Sequence, residues 1–266
     1  MNIFEDTNKK LWNELTEVHI KSYGVDEFKK GKSTLDKIQL KEMGNVKGNS
    51  LLHLQCHFGL DTLSWAREGA VVTGVDFSEK SIEYANRLKE ELNISARFMC
   101  CNIYDLKRHL HEKFEIVYTS QGVLCWLKDL DKWASLIYRF LKPGGMFYIM
   151  EGHPILHIFS DEIKEGLKIA YPYFGNKKPI KYEPGPDYSS TYMATNPSYE
   201  WQWSTSDIIN SLIKAGLQIE FMHEFDKLFY KALPNMKLDR DGWYYLPGYE
   251  KKIPLMFTLR ARKKEI

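Results

Sequence analysis

The stretch from Leu51 to Asp76, LLHLQCHFGLDTLSWAREGAVVTGVD, constrains the fold more than any other. Leu51, Leu52 and Leu54 form a short buried run, and Gln55-Cys56-His57-Phe58-Gly59 is too irregular to continue it. Leu60, Leu63 and Ala66 then recur at helical spacing, with Gly69 as the stop. Ala70 to Val75 is a β-branched run that ends in Asp76. Strand, tight turn, helix and strand in this order bring a backbone turn and a helix N-terminus to a ligand at the carboxyl ends of parallel strands. Asp76 lies near the roughly 20-residue offset at which an acid takes a ribose diol. A carboxylate suits that task because it can accept two hydrogen bonds from vicinal hydroxyls.

The same alternation continues downstream. Ser78 is an N-cap residue for a helix from Glu79 to Leu92. Ala96–Cys101 and Phe114–Thr119 read as strands, Leu130–Leu141 as a helix stopped by Lys142-Pro143-Gly144-Gly145, and Met146–Glu151 as a fifth strand. This is the pattern of an α/β, Rossmann-like, mostly parallel sheet with right-handed crossovers and helices on both faces. A helix over Thr205–Ala215 and strands over Leu217–Phe225 and Ile253–Ala261 complete it. Before it, Phe4–Tyr23 and Leu35–Met43 read as helices that cannot build a core alone. Residues 1–48 are therefore expected to be a helical cap on a main domain of 49–266.

Between Gly152 and Pro197 six prolines exclude long regular elements. The segment is dense in tyrosine, which argues against disorder. Residues 152–203 are expected to form a lid or substrate wall, since long loops in compact domains are functional or disordered. Aromatic rings with polar tips suit a small, partly apolar ligand.

Composition removes other classes. There are 37 basic and 35 acidic residues, a net charge of +2, which gives no reason to expect nucleic acid or an anionic membrane as partner. The basic Arg260, Arg262, Lys263 and Lys264 read as a solvated chain end. Cys56, Cys100, Cys101 and Cys125 show no C-x-x-C pair, so no metal site is expected. Cys56, Cys100 and Cys101 read as small buried hydrophobes in a reducing compartment. No apolar run approaches the ~18 residues of a membrane helix, and the N-terminus has no signal-peptide pattern. The expected setting is cytoplasmic, as monomer or homodimer.

Five segments in order, LLHLQCHFGLDTL, VTGVDFSEKSIEYA, ARFMCCNIYDL, FEIVYTSQGVLCWL and LKPGGMFYIME, resemble the class I S-adenosylmethionine-dependent methyltransferases. The chain is similar to a bacterial small-molecule branch with LHLQCHFG in place of the usual glycine-rich turn. The resemblance implies a seven-stranded sheet with an antiparallel C-terminal strand pair, S-adenosyl-L-methionine as cofactor, S-adenosyl-L-homocysteine as product and a small-molecule acceptor. It implies that Gln55, Cys56, His57 and Gly59 wrap the methionine portion, Asp76 holds the ribose and Phe77 lies against the adenine. Asn102 and Ile103 would meet the adenine amino group, and Ser120, Gln121 and Gly122 would flank the methyl group. The usual motif has an acid where His53 stands and glycines where Gln55 and His57 stand.

Glu151 and His153 end the fifth strand beside that position and are the candidate acid/base pair, with structural hydrogen bonding as the alternative. Trp12, Tyr23, Trp126, Tyr192 and Trp201 are candidate acceptor contacts. His53 reads as a hydrogen-bonded interior histidine, Asp61 as a first-turn acid favoured by the helix dipole, and Trp133 as core. His57 fits a loop surface or a cofactor contact equally. Because the methyl donor is already activated, proximity and orientation can carry the reaction, and a base is needed only for a protonated acceptor. Two other classes stay open. A nicotinamide-dependent oxidoreductase would need the three-glycine fingerprint, which is missing. A non-catalytic metabolite- or protein-binding domain would need only a degenerate site.

Overall fold

A computed structural model describes residues 2–175 and 177–265. The helices are α1 (Ile3–Ser22), α2 (Val25–Lys29), α3 (Lys37–Met43), α4 (Leu60–Arg67), α5 (Glu79–Glu91), α6 (Leu130–Phe140) and α7 (Thr205–Lys214). The strands are β1 (Ser50–Leu54), β2 (Val71–Asp76), β3 (Arg97–Cys100), β4 (Phe114–Ser120), β5 (Leu141–Gly152), β6 (Ile180–Tyr182), β7 (Ser198–Glu200), β8 (Leu217–Phe225), β9 (Lys227–Leu228), β10 (Lys237–Leu238), β11 (Tyr244–Tyr245) and β12 (Met256–Lys263). Seven of them make one sheet in the order β3-β2-β1-β4-β5-β12-β8.

The first five strands are parallel, as the alternation of strand and helix requires. β12 is antiparallel to both β5 and β8, so β8 runs with the parallel set and β12 alone is reversed. The Lys142–Gly145 turn does not precede β5. It lies within it, as an irregularity where the pairing shifts between Phe114↔Leu141 and Ile116↔Met146. One sheet face packs Leu52, Val117, Phe147 and Phe257 against α6 and α7. The other packs Leu51, Tyr118 and Tyr148 against Trp65 of α4 and Leu228, Leu233 and Leu246. Burial of both faces explains the continuous apolar runs in the central strands, and Trp133 is core.

Two sequence expectations are corrected here. The C-terminal basic residues are not a loose end, because Arg260 and Arg262 lie on β12 and pair with Glu220. Lys263 is buried and donates to the Tyr138 and Leu141 carbonyls. Cys56 is buried as expected, but Cys100 is exposed and Cys101 only partly covered, because β3 is the sheet edge. Residues 152–203 also hold more order than their prolines suggest: β6 and β7 pair antiparallel, and Phe159↔Ile169 and Pro186↔Met193 bridge.

Candidate active site

The turn after β1 keeps the shape of a glycine turn without the glycines. Gln55 and His57 have φ of 57° and 50°, and Gln121 in the turn after β4 has 49°. Side chains in that left-handed region cost roughly 1–2 kcal/mol per residue, so the surrounding contacts must hold them. The Cys56 amide bonds the Val75 carbonyl, and the Gly59 amide bonds the Cys56 carbonyl. A side chain at Gly59 is excluded, since a Cβ there would stand 2.6 Å from the Phe98 ring.

Asp76 ends β2 beside this turn. Its Oδ2 accepts from the His57 amide (2.9 Å) and its Oδ1 from the Ser78 amide (2.9 Å). Burial raises its pKa to about 6 although backbone amides of Ser78, His57 and Phe77 pull it down. Each oxygen retains acceptor capacity for a diol. Gln55 donates from Nε2 to the Val123 carbonyl (3.1 Å), and its Oε1 is buried with no partner among the described residues. Such an orphan acceptor invites a ligand donor.

Behind these groups lies a buried polar set. His53 Nδ1 meets Thr62 Oγ1 at 2.8 Å, and burial lowers this imidazole to about 3, so it is neutral. Asp61 is more than a first-turn acid. Its carboxylate accepts from Thr34, Tyr118 and Ser120 hydroxyls, which ties the turn after β1 to the end of β4. Burial raises its pKa against those three donors.

Helix α1 roofs the cleft. Glu5 accepts from Asn102 Nδ2 (3.1 Å) and pairs with Lys128 (2.6 Å). Asn13 accepts from Ser78 Oγ (2.7 Å). His19 Nδ1 lies 3.0 Å from His57 Nε2, and His19 Nε2 lies 3.0 Å from Asp187 Oδ2. His57 Nδ1 reaches Ser81 Oγ (2.9 Å). Asp187 accepts from His19 Nε2–H, and the other ring nitrogen of His19 shares a hydrogen bond with His57 Nε2. Burial, then the His19 neighbour, push the His57 pKa well down. Burial opposes ionisation of Asp187, but His19 and Ser189 outweigh it and lower its pKa. This chain pins the cofactor turn, the N-terminal helix and residues 152–203 together.

The structure separates the expected residues into groups. Gln55, Cys56, His57, Gly59, Asp76, Phe77, Asn102, Ile103, Ser120, Gln121 and Gly122 lie at the carboxyl ends of β1 to β4. Asn102 caps the turn after β3 with its oxygen on the Tyr104 amide. Trp12 lies edge-on to His57 (5.1 Å) and Trp126 (5.3 Å), and Tyr23 lies 6.0 Å from His57. Trp201 is buried and its amide bonds the Cys125 carbonyl (2.7 Å). Tyr192 is set apart: its hydroxyl donates to Glu14 on the outside of α1.

The acid/base pair needs correcting. Glu151 takes amide hydrogens from Gly122, Val123, Leu124 and Gly152 at 2.6–3.2 Å. Burial raises its pKa, while these four donors favour the anion. Both oxygens hold the turn after β4 and neither is placed to take a substrate proton. His153 Nδ1 accepts from the Ile155 amide, and its Nε2 lies 3.0 Å from Glu224 on β8, off a hydrogen-bonding line. Pairing of β5 with β12 carries it away from the cleft. The sequence reading missed Glu5 and Asp187, and left His19 open between a cover for the cofactor pocket and helix packing. Glu5, Trp12 and His19 recur every seven residues, a helical stripe that marks one face; Asp187 carries no comparable signal.

A family model described as a methyltransferase domain matches residues 52–149. That match spans β1 to β5, the parallel half of the sheet. A solved S-adenosylmethionine-dependent methyltransferase from Mesorhizobium loti is 21% identical, with a TM-score of 0.61 over 85% of this chain and 96% of that one. A ubiquinone biosynthesis O-methyltransferase of Pseudomonas syringae is 27% identical over 46% of this chain and 53% of its own length. Phosphoethanolamine N-methyltransferase 1 of wheat is 24% identical over 91% of this chain and 50% of its own. The chain spans about half the length of the curated relatives it matches. The residues here fit S-adenosylmethionine: a glycine-type turn, a carboxylate with acceptor capacity left and the orphan Gln55 oxygen would suit its amino-acid and ribose ends.

Proposed function

We propose that this chain transfers the methyl group of S-adenosylmethionine to a small-molecule acceptor held between α1, the turn after β4 and residues 152–203. In this reading residues 1–48 are a cap, 49–266 the methyltransferase domain, and 152–203 the acceptor wall. The observation that carries it is the left-handed Gln55 and His57 backbone beside the Asp76 carboxylate. A loop that had lost its ligand would have no reason to keep that strained shape.

When bound, the cofactor supplies a methyl carbon on a positively charged sulfur, which leaves as a neutral thioether. The chain contributes position. Asp76 fixes the ribose, Gln55 Oε1 accepts from the amino-acid end, and Ser120–Gly122 border the reacting carbon. Trp12 and Trp126 close the roof and exclude water, so the acceptor meets the methyl group in one geometry. Relatives named for ubiquinone biosynthesis and phosphoethanolamine support a small acceptor. The near-neutral charge supports a reading without nucleic acid. Among the described residues no helix is long and apolar enough to cross a membrane. We place the protein in the cytoplasm, as monomer or homodimer.

Calorimetric titration with S-adenosylmethionine, S-adenosylhomocysteine and NAD tests the proposal. Saturable binding of the first two and none of NAD is expected. NAD binding alone would return the chain to the oxidoreductase reading, and binding of none would leave a degenerate domain.

A further inference from the structure

A cleft of about 340 Å³ opens between the first turn of α1 and the turn after β3. Asn2, Glu5, Asn102, Tyr104, Asp105 and Lys128 line it. Glu5 is the buried acid among them, with 5% of its surface accessible. Its Oε2 accepts from the Asn2 amide (3.1 Å) and the Lys128 ammonium (2.6 Å), and its Oε1 from Asn102 Nδ2 (3.1 Å). Burial opposes its ionisation, but Lys128, the Asn2 amide and Asn102 outweigh it and lower its pKa. The group is therefore a carboxylate at neutral pH, and Oε1 keeps room for one more donor. The capping box at the start of α1 uses Oε2 alone.

The cleft lies on the path of the cofactor's base. In the reading above the amino-acid end meets the turn after β1 and the ribose meets the end of β2. β3 is the next strand outward. The Cys101 amide bonds the Asp76 carbonyl (2.8 Å), so the turn after β3 starts beside the ribose carboxylate. A base attached to that ribose continues over this turn. The sequence resemblance gives the adenine amino group to Asn102, but that side chain is engaged at both ends. Its Oδ1 takes the Tyr104 amide (3.0 Å) and its Nδ2 gives to Glu5. An amide NH2 facing an incoming amine makes no hydrogen bond to it. The acceptor on offer at this spot is Glu5 Oε1.

We infer that Glu5, carried by α1, reads the exocyclic amino group of the cofactor's adenine. The inference rests on the methyl-transfer reading and adds a specificity residue to its cofactor site. An anionic acceptor selects a purine with N–H at position 6. It opposes a purine with oxygen there, because two acceptors then face each other. A site built to bond a ligand N–H is left with an unpaired buried group when that N–H is missing. The same helix bonds the far segment through Asn8 to Tyr199 and Glu14 to Asn196. Recognition of the base and seating of the acceptor wall therefore share one rigid element.

The test is calorimetric binding of two compounds to the full chain, which needs no turnover. They are S-adenosylhomocysteine and S-inosylhomocysteine, in which oxygen replaces the amino group. The parent should prefer the first by about tenfold or more. Glu5→Gln can turn either an acceptor or a donor to the base, so the preference should fall to within about threefold. Asn2→Ala removes the helix cap and leaves the carboxylate, so it should lower the melt and keep the preference. If Glu5→Gln melts well below the parent, Glu5→Asp is read in its place. It keeps the charge but draws it back by one methylene, and the preference should fall by at least about threefold. A parent without preference overturns the inference, as does an unchanged preference in the folded Glu5 variant. Loss of the preference in Asn2→Ala overturns it too, since fraying of α1 would then explain the effect. If the parent binds neither compound, the methyl-transfer reading fails and takes this inference with it; if it binds both equally, only the present inference fails.

Discussion

The two ends of the cleft are built in opposite ways. At the cofactor end, partners are close in the chain: Asp76 with Ser78 and His57, His53 with Thr62. At the acceptor end they are far apart. Asn8 bonds Tyr199 across 191 residues, Glu14 bonds Asn196 across 182, and His19 meets Asp187 across 168. The first end can assemble as soon as a strand, turn and strand condense. The second exists only when both ends of the chain have found each other, and closing long loops carries an entropic cost that local contacts avoid. The comparison teaches that the turn around Asp76 is built first from local contacts and the acceptor wall from long-range ones, with the His57–His19–Asp187 chain joining the two.

Glu151 sits where the two ends meet, so its loss should have the largest effect. Glu151→Ala leaves four backbone amides without a partner, each costing about 1–3 kcal/mol when buried. Chemical denaturation should show a loss of at least about 3 kcal/mol, with both cofactor and acceptor binding impaired. A fully stable variant would mean that the turn after β4 holds itself.

Asp76→Ala should confine its damage to the cofactor end, weakening S-adenosylmethionine by about 1.5–3 kcal/mol with the fold intact. The pH dependence sharpens this. Asp76 titrates near pH 6 in the native state, against about 3.9 for an unperturbed aspartate. The unfolded chain gives up this proton first, so the group makes the native state lose stability as pH rises from about 4 to about 6. Binding runs the other way, because only the carboxylate accepts from both hydroxyls. Cofactor affinity measured by calorimetry should therefore climb through pH 6, and Asp76→Asn should flatten that climb. A flat profile in the parent would separate Asp76 from the ribose.

Glu14→Ala should act on the acceptor end alone. It removes bonds to Tyr192, Thr195 and Asn196 that clip the acceptor wall to α1. Partly exposed contacts of this kind are worth about 1 kcal/mol or less, so the melt should move little. Cofactor affinity should hold while the KM of an identified acceptor rises several-fold. An equal loss of both would show that the two ends are not independent. The smallest effect is expected at Gln121→Gly, which relieves a left-handed side chain and loses a weak bond to Met150. Stability should rise by up to about 1 kcal/mol, read as a shift in denaturation midpoint.

What was legible in the sequence follows the same division. Strands and helices up to Glu151 were readable because apolar spacing is a local signal. The cofactor turn was readable because its residues are contiguous and closed by Asp76. The turn's glycine-like backbone was not, since Gln55 and His57 argue against it until the structure shows what holds them. Glu151 and His153 looked like chemistry because two titratable residues ended a strand. Four amides and the β5–β12 pairing gave them other work, and no local pattern announces such partners. Asp187 was invisible for the same reason, being an acid in a proline-rich segment whose meaning comes from α1.

The placement of β12 between β5 and β8 carries a further consequence, for how the chain is made. A ribosome delivers β8 before β12, yet β8 has no neighbour in the sheet until β12 arrives. Through that interval the β5 edge also waits, with its apolar residues ready to pair with any strand that passes. The helix α7 that precedes β8 can dock against α6 meanwhile and keep β8 near its destination. Newly made protein should therefore spend its most aggregation-prone moments between residues 225 and 256. A chaperone that binds extended apolar segments would find its natural target there.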